Sequence, residues 1–463
     1  MPWRSAVEAV PMSRIALVGP SDQLRGILVQ AADAGVVELE TSAQGDSSDA
    51  AEALRRLRAA GMHEAEPMLA ARALAAADLE AHNRADLLAG EVELERRAAA
   101  AANRDPFVVL VGWSPKDQLD NLSARLDPIG AGVVELPRRP FIEPPTLMRT
   151  PRAAEPFRPI VETYGTVRYT DIDPTPFTAV SFVLMFGMMF ADAGHGLLLA
   201  AAGLALRFIR IRRLDALRRS WALPFAAGLV AAAFGLAYGE FFGPTGVIPV
   251  LWLHPLQNPL ELLVAGVLVG TALLAISYTI GTVNRWREGG VKEALYSSSG
   301  IAGAVLFGGV GTLVLALWIH ATVVLVLGLL LVTVALVLLF VGFFVEAGGG
   351  MTGSMEAIVE VFNSVIRLGA NSISFARLAA FGMVHAAIGS LVWGAAAALF
   401  ASGAWFVAIP VLLVGNAAGF TLELIVAGIQ AMRLEYYELF SRIYSGEGRA
   451  FRPWHLTVFK EAV

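Results

Sequence analysis

Long apolar runs fill most of this 463-residue chain after its first third. They lie at about 177–191, 195–209, 221–241, 259–284, 296–318, 321–345, 372–400 and 404–432. A helix needs about 20 apolar residues to cross the bilayer core, because each residue adds only about 1.5 Å. Since 16% of the residues are charged and the mean hydropathy is +0.61, the sequence predicts a multi-pass membrane protein.

The charges between these runs indicate their orientation. Lys and Arg residues favour the cytoplasmic side, and they occur in the segments 207–219 and 286–293 and in the C-terminal tail, including Lys460. The loops at about 242–258, 319–320 and 401–404 contain no Lys or Arg. Together with an N-terminus that lacks a signal peptide, this pattern predicts eight passes with both termini in the cytoplasm. The first two short runs would then form a hairpin.

The first third of the chain has a different pattern. Residues 1–175 are predicted to form a cytoplasmic α/β domain with a short helical arm, and residues 176–463 a polytopic membrane domain. SRIALVG, SDQLRGILVQAADAG and GVVELE read as strand, helix and strand, and PFVVLVGWS, PKDQLDNLSARLDPIG and AGVVELP repeat that order. Residues 49–103 read as polar helices, broken near Gly61 to Pro67. We therefore expect two small sheet-bearing lobes joined by a helical arm. Whether translation starts at Met1 or at Met12 stays open.

The composition also excludes several function classes. A net charge of −5 gives no electrostatic support for nucleic-acid binding. The absence of cysteine excludes disulfides, thiol catalysis, zinc–thiolate sites and iron–sulfur clusters. The N-terminal region contains no Gly-rich phosphate loop, metal cluster or catalytic triad, so we interpret it as a docking domain. We expect no cofactor and no metal.

One cation lies within the seventh apolar run. A charge at the bilayer centre costs about 2.5–3.5 kcal/mol on insertion scales, so Arg377 is expected to be functional or paired. The last run carries Glu423, Gln430 and Arg433. These residues indicate an ion pathway or, alternatively, a structural arginine–glutamate pair. If residues 357–400 form one helix, it would be about 66 Å long and would have to tilt or bend in a core of about 30 Å.

Three segments resemble one family. FGMMFADAGHG (186–196) is similar to the FGxMFGDxGHG signature of the membrane subunit a, or subunit I, of V-type and A-type rotary ATPases. SISFARLAAFGMVHA resembles that family's SYxRLxAxxLAH segment, and the ending from TLELIVAGIQAMRL to RAFRPW resembles its C-terminus. The linker with YTDIDPTPF also matches. The resemblance extends from Ser13 to the end of the chain.

This resemblance implies the stator membrane subunit of a rotary ATPase or ATP synthase, which is not an enzyme on its own. Protons, or alternatively Na⁺, would pass through two half-channels to the rotating proteolipid ring. Arg377 would face the ring, His385, Glu423 and Arg433 would relay the ion, and the half-channel lining would include Glu360, Asn371, Ser374 and Gln430. The implied partners are the proteolipid c-ring, E/G-type peripheral stalk subunits, the central stalk, the A and B nucleotide-binding subunits and the lipid bilayer. The implied location is a bacterial or archaeal plasma membrane.

The sequence also departs from the family pattern. Asn363 stands where many members carry a carboxylate, and Glu360, one turn earlier, could supply that carboxylate instead. Ala191 replaces a glycine of the family pattern, and Gln430 replaces a common histidine. The short helical arm leaves open how far the soluble domain reaches along the peripheral stalks.

Simpler interpretations remain for several residues. His385 could be a packed histidine, Arg433 a cation that extends to the interface, and Asp192 with His195 an ordinary hairpin turn. A secondary transporter that uses Arg377 and Glu423 for an anionic substrate is the alternative function, although the chain shows no inverted repeat. The ion, the direction of the machine and the ring stoichiometry stay open.

Overall fold

The computed structural model describes residues 8–40, 48–62, 66–137, 139, 142–209 and 215–459. Two compact units are present. An α/β unit comprises the described residues of Ala9–Met148 and Gly448–Val463, and a helical unit those of Met1–Glu8 and Arg149–Glu447. An N-terminal α/β region followed by a helical part is therefore confirmed. Part of the basic segment 207–219 and Lys460 lie outside the described residues.

One antiparallel sheet forms the centre of the α/β unit. Strands β1 (Met12–Pro20) and β5 (Phe107–Pro115) pair along all nine residues, from Met12 opposite Pro115 to Pro20 opposite Phe107. The order is β2 (Glu38–Leu39), β5, β1, β6 (Gly132–Glu135), with β4 (Ala102–Arg104) added to β5. Helices α1 (Leu24–Ala34) and α5 (Leu119–Leu126) complete two β–α–β halves, the ferredoxin-like arrangement. Because both halves share one sheet, the prediction of two sheet-bearing lobes was wrong.

The sheet and its helices enclose an apolar core. Alternate residues of β1 point inward, so Ile15 and Leu17 are fully buried, and they pack with Ile27 and Leu28 of α1. Gly35 ends α1 in the left-handed conformation (φ 60°), as the predicted terminal glycine requires.

The segment between β2 and β4 is helical but not a simple arm. It contains α2 (Asp49–Ala59), β3 (Met68–Ala70), α3 (Ala76–Ala81) and α4 (Ala85–Ala98). Helix α2 ends before Gly61, where the break was predicted. The strand β3 was not predicted, and it pairs in parallel with β7 (Thr457–Phe459) from the end of the chain.

The helical unit contains twelve of the described α-helices and one π-helical turn. They are α6 (Arg158–Tyr164), α7 (Thr175–Met189), α8 (Ala193–Phe208), α9 (Asp215–Arg219), α10 (Ala222–Tyr238), α11 (Pro259–Tyr296), α12 (Ile301–Ile319), α13 (Thr322–Glu346), α14 (Gly350–Ser374), α15 (Ala376–Ala401), α16 (Trp405–Leu434), the π-helical turn Glu435–Phe440 and the short α17 (Ser441–Ile443). Gly290 interrupts α11 near its end (φ 72°, ψ −153°).

Five segments of the described chain are long and apolar enough to cross a membrane. These are α11, α12, α13, the consecutive pair α14–α15 and the segment from α16 to Ile443. Three shorter apolar helices, α7, α8 and α10, precede them. Large apolar side chains lie on the outer surface, including Trp318 (79% exposed) and Val323 (82% exposed), as expected where the surrounding medium is lipid. The chain is a multi-pass integral membrane protein, whereas the count of eight passes and the tilt of the last helices stay predictions.

The π-helical turn is anchored in the interior of the helical unit. Glu435 is fully buried and accepts hydrogen bonds from Ser181 Oγ at 2.8 and 2.9 Å. The next residue, Tyr436, donates from its hydroxyl to the carbonyl oxygen of Ile160 at 3.0 Å. These bonds join the end of α16 to α7 and to α6. The sequence pattern did not indicate this buried carboxyl group.

Another carboxyl group is buried just before α7. Asp171 is fully buried beside Glu288. The carboxylate of Glu288 also forms ion pairs with Arg285 at 2.5 Å and with Arg168 at 3.7 Å. Burial, together with the charge and hydrogen bond of Glu288, raises the pKa of Asp171 to about 7 against the opposing effect of the two arginines. The folded protein therefore binds a proton here that the unfolded chain releases near pH 4.

We predict that Asp171→Asn flattens the pH dependence of stability. The protonated carboxyl group stabilises the fold fully below its unfolded pKa of 3.8, and this contribution is lost as the pH rises through about 7. The free energy of unfolding of the wild type in detergent should fall across this window by at most about 1.4 kcal/mol per pH unit more than that of the variant. Thermal unfolding at a series of pH values measures the difference.

Asp120→Asn is the control, because Asp120 is an exposed residue of α5. It should reproduce the wild-type pH dependence. Equal slopes for the wild type and Asp171→Asn would contradict the assignment.

Candidate functional site

The start of α15 is fixed by one aromatic contact. Helices α14 and α15 are separated only by Phe375, which is fully buried. Its ring lies on Gly270 of α11, where an added Cβ would collide with it. Ser374, one of the predicted lining residues, donates from Oγ to the carbonyl oxygen of Ala370 at 2.9 Å. The packing therefore determines the backbone position two residues before Arg377.

Arg377 keeps its charge free of a direct partner. It is half-buried, and its Nη1 atom is buried without a hydrogen-bond partner among the residues that the structure describes. Glu438 of the π-helical turn interacts electrostatically with both Arg377 and Arg433, and its Oε2 atom is likewise unpartnered within the described chain. The structural arginine–glutamate pair between Arg377 and Glu423, which the sequence left open, is not formed.

Glu423 is instead bonded to a histidine. His385 of α15 and Glu423 of α16 are both buried, and Nδ1 of His385 hydrogen-bonds Oε2 of Glu423. The other ring nitrogen of His385, Nε2, lies 3.5 Å from Oδ2 of Asp192. The imidazole is thus placed between two carboxylates from different parts of the chain.

Asp192 organises the surrounding backbone. It caps the N-terminus of α8 by accepting from the N–H of His195 at 2.8 Å, and it also accepts from the N–H groups of Phe242 (3.0 Å) and Gly243 (2.7 Å). The first bond is the turn interaction that the sequence suggested. The other two join α8 to the loop after α10, so Asp192 does more than close a hairpin turn.

Two further buried residues complete this group. Both ring nitrogens of His195 and both carboxylate oxygens of Glu240 are buried, and none has a hydrogen-bond partner within the described residues. The ring centroid of His195 lies 5.8 Å from that of His385. Glu240 interacts electrostatically with His385 and Asp192. We call Asp192, His195, Glu240, His385 and Glu423 the polar cluster.

The remaining predicted site residues lie outside the polar cluster. Asn371 bonds Arg442 Nη2 and the carbonyl oxygen of Arg367, each at 3.1 Å, when its amide is oriented to satisfy both. Gln430 has a buried Oε1 atom that no described residue contacts by hydrogen bond. Glu360 is half-buried on α14, and Arg433 is exposed on α16.

A cavity leads to the polar cluster. It has a volume of about 540 Å³ and lies between α8, α15 and α16, with His195, Phe242, Trp393, Asn416 and Phe420 in its wall. Its wall is mainly apolar, and His195 is the member that the cavity shares with the polar cluster. Small solutes therefore have space to reach the buried imidazole.

Comparisons with known proteins point to one family. The model of the V-type ATPase 116 kDa subunit family matches residues 99–222, which include Asp192 and His195. The A-type ATP synthase subunit I of Archaeoglobus fulgidus is 27% identical, over 75% of this chain and 58% of that protein. The resemblance to the rotary ATPase subunit a and subunit I family is confirmed.

Other relatives of the family give a similar result. The subunit I of Pyrococcus horikoshii is 26% identical over 74% of this chain and 53% of its own length. That of Halobacterium salinarum is 28% identical over 68% of this chain and 52% of its own length. The chain therefore spans about half the length of the curated relatives that it matches.

Proposed function

We propose that this chain is the stator membrane subunit of a rotary V/A-type ATPase or ATP synthase. It would carry protons, or Na⁺, through two half-channels to and from a rotating proteolipid ring, with Arg377 as the cation that faces the ring. The observation that carries the proposal is the guanidinium of Arg377, which is partly desolvated and has no carboxylate partner in the described residues. The subunit itself would not hydrolyse ATP, a task that belongs to the A and B subunits.

Arginine suits this role for a chemical reason. A ring carboxylate that enters the bilayer needs an opposite charge, because an isolated ion in a medium of low dielectric constant is costly. The guanidinium cannot be deprotonated in a protein, so it attracts the carboxylate without passing a proton between the half-channels. A guanidinium already held by a glutamate would be less available to the ring.

The polar cluster supplies candidate relay groups, and one of them, His385, lies on α15 together with Arg377. His385 follows Arg377 by eight residues, which corresponds to about 12 Å along a helix. Imidazole and carboxyl groups exchange protons readily, and the bond between His385 and Glu423 places two of them together. One half-channel would lead past Glu423 and His385 to the ring. The residues Glu360, Asn371, Ser374 and Gln430 stay candidates for lining the pathway. Arg433 stays a second candidate cation.

The outer faces of α14–α16 are suited to contact an apolar partner. Large side chains there are exposed, including Phe362 (63%), Ile373 (72%) and Leu391 (73%). Lipid or the helices of a proteolipid ring would cover such a surface. The α/β unit would dock on E/G-type peripheral stalk subunits.

The proposed topology has eight passes and cytoplasmic termini. In support, Gly187 of α7 and Gly196 of α8 both pack against the middle of α10, near Val230 to Ala232. A hairpin of two short helices would place them in this way. The loops after α10, α12 and α15 contain no Lys or Arg.

Single cysteines introduced into the cysteine-free chain test the topology. A cysteine at Arg218 or Lys292 should react with a membrane-impermeant maleimide only in inverted vesicles. A cysteine at Thr245 should react in intact cells. Labelling of position 218 in intact cells would show that α7 and α8 do not form two passes.

We predict that Arg377→Ala abolishes ATP-driven ion pumping while leaving an assembled complex. The ring carboxylate loses its counter-charge, and translocation should fall below about 1% of wild type, since a loss of about 2.7 kcal/mol already gives that factor. Arg377→Lys should also fail, because a buried ammonium releases its proton more easily. The assay is pumping by vesicles that contain the complete rotary complex.

Arg104→Ala is the control, since it removes an exposed arginine from β4 of the α/β unit. It should pump normally. Wild-type pumping by either Arg377 variant would show that Arg377 is not needed for translocation. If both variants fail to pump and also fail to assemble, Arg377 is a structural residue.

Glu423→Gln should slow pumping rather than stop it. Water can partly replace one relay group, and glutamine keeps a side-chain oxygen that accepts the hydrogen bond from His385. We expect a loss of about 10- to 100-fold, within the range of acid–base groups in catalysis. The exposed Glu356→Gln on α14 serves as the control that removes the same charge. An unchanged pumping rate with a lower unfolding temperature would show that Glu423 is only a structural partner of His385.

A further inference from the structure

The polar cluster has the composition of a metal site. We propose that Asp192, His195 and His385 bind a divalent transition metal ion of the Zn²⁺ type. Ligand atoms from the first three residues all lie within 4.8 Å of one another, and all three residues are buried. The sequence predicted no metal, because these ligands are separated by up to 193 positions along the chain, as between Asp192 and His385.

The spacing of the ligand atoms agrees with tetrahedral coordination. Zn²⁺ binds histidine nitrogen and carboxylate oxygen at about 2.0–2.2 Å, so two ligands of a tetrahedron lie about 3.3 Å apart. Nε2 of His385 is 3.5 Å from Oδ2 of Asp192, and Nδ1 of His195 is 3.9 Å from Oδ1 of the same carboxylate. These two separations are close to the tetrahedral value, and because all three ligand atoms lie within 4.8 Å of one another, side-chain adjustment would bring them around one ion.

The histidine nitrogens of the proposed site lack hydrogen-bond partners among the described residues. The side chains of His195, His385 and Glu240 are only 5%, 3% and 1% exposed. No described residue forms a hydrogen bond with either ring nitrogen of His195, with Nε2 of His385 or with either carboxylate oxygen of Glu240. An unpaired polar group in a buried site typically costs about 1–3 kcal/mol, and a charged one more. A divalent cation would satisfy one ring nitrogen of His195 and Nε2 of His385, and its charge would balance the buried carboxylates.

The second shell of such a site is already present. Metal-binding histidines usually donate their other N–H to a carboxylate, which fixes the ring and its tautomer. Glu423 accepts from Nδ1 of His385, so Nε2 is left as the ligand atom. Asp192 is held by three backbone N–H groups, from His195, Phe242 and Gly243, and Oδ2 accepts only one of those bonds. Nitrogen and oxygen ligands without thiolate suit Zn²⁺ and Co²⁺.

The experiment measures metal binding by the purified full-length chain in detergent. Zn²⁺ binding is followed by isothermal titration calorimetry, and Co²⁺ binding by its visible absorption, which is strong only in tetrahedral sites. We expect one ion per wild-type chain. His195→Asn should weaken the affinity at least about 10-fold, as even the loss of a second-shell partner does. Asp192→Asn should weaken it as well.

His82→Asn is the matched control, because His82 is an exposed histidine of the α/β unit. It should bind one ion with wild-type affinity. Thermal unfolding without metal checks that each variant is folded, and His195→Gln provides a second variant if His195→Asn is not. Binding that is unchanged in folded His195 and Asp192 variants, or a Co²⁺ spectrum of an octahedral aqueous ion, would overturn the site.

A consequence for transport rests on the proposed function. An ion bound to Nε2 of His385 would occupy a relay group, so micromolar Zn²⁺ should inhibit pumping by the wild type but not by His195→Asn. Because His195 belongs to the polar cluster, the inhibition is expressed relative to the metal-free pumping rate of each variant. Metal binding without any pumping effect would refute the transport role of His385 and leave the site intact, whereas pumping without metal binding would refute the site alone.

Discussion

The imidazole of His385 connects parts of the helical unit that are far apart in the sequence. One ring nitrogen bonds Glu423 on α16, and the other faces Asp192 at the start of α8. Asp192 in turn holds the backbone of the loop after α10 through Phe242 and Gly243. In a medium of low dielectric constant these contacts are individually strong, and removal of one partner leaves the others uncompensated. Four segments of chain therefore depend on a few buried polar atoms.

The position of Arg377 depends on apolar packing rather than on hydrogen bonds. The ring of Phe375 needs the bare backbone of Gly270, and this contact sets where α15 begins. Arg377 is then placed about two turns away from His385 along α15, and Glu423 bonds His385 rather than Arg377. Apolar packing thus decides which electrostatic pairs form, because it fixes the helix on which the charged groups lie.

Some of these features could be predicted from sequence and others could not. Apolar runs report burial or lipid contact residue by residue, so the helices after residue 175 and the strands β1 and β5 were located from pattern alone. Gly35 and the break near Gly61 follow from local backbone preferences. The common sheet was missed because strand order depends on long-range pairing, and the pairing of β3 with β7 joins residues almost 400 positions apart, such as Met68 and Thr457.

The same limit applies to the candidate site. Glu423 was identified because it interrupts an apolar helix, and His385 through the family resemblance. Asp192 and His195 occur in a turn where polar residues need no special explanation. Their position beside His385 and Glu240 is a tertiary fact. The i, i+3 spacing of Asp192 and His195 at the start of an apolar helix was the one available signal, and it also fits an ordinary helix cap.

The separation of Arg377 from the polar cluster has a chemical consequence. If the cation lay against Glu423, the pair would be stable but inert, because neither group could exchange its partner without a large electrostatic cost. In the structure Glu423 is bonded to a histidine, whose charge depends on a proton, and Nη1 of Arg377 has no hydrogen-bond partner among the described residues. A chain that must exchange ions with a moving partner requires both conditions: a fixed charge without a fixed partner, and titratable groups whose partners are each other.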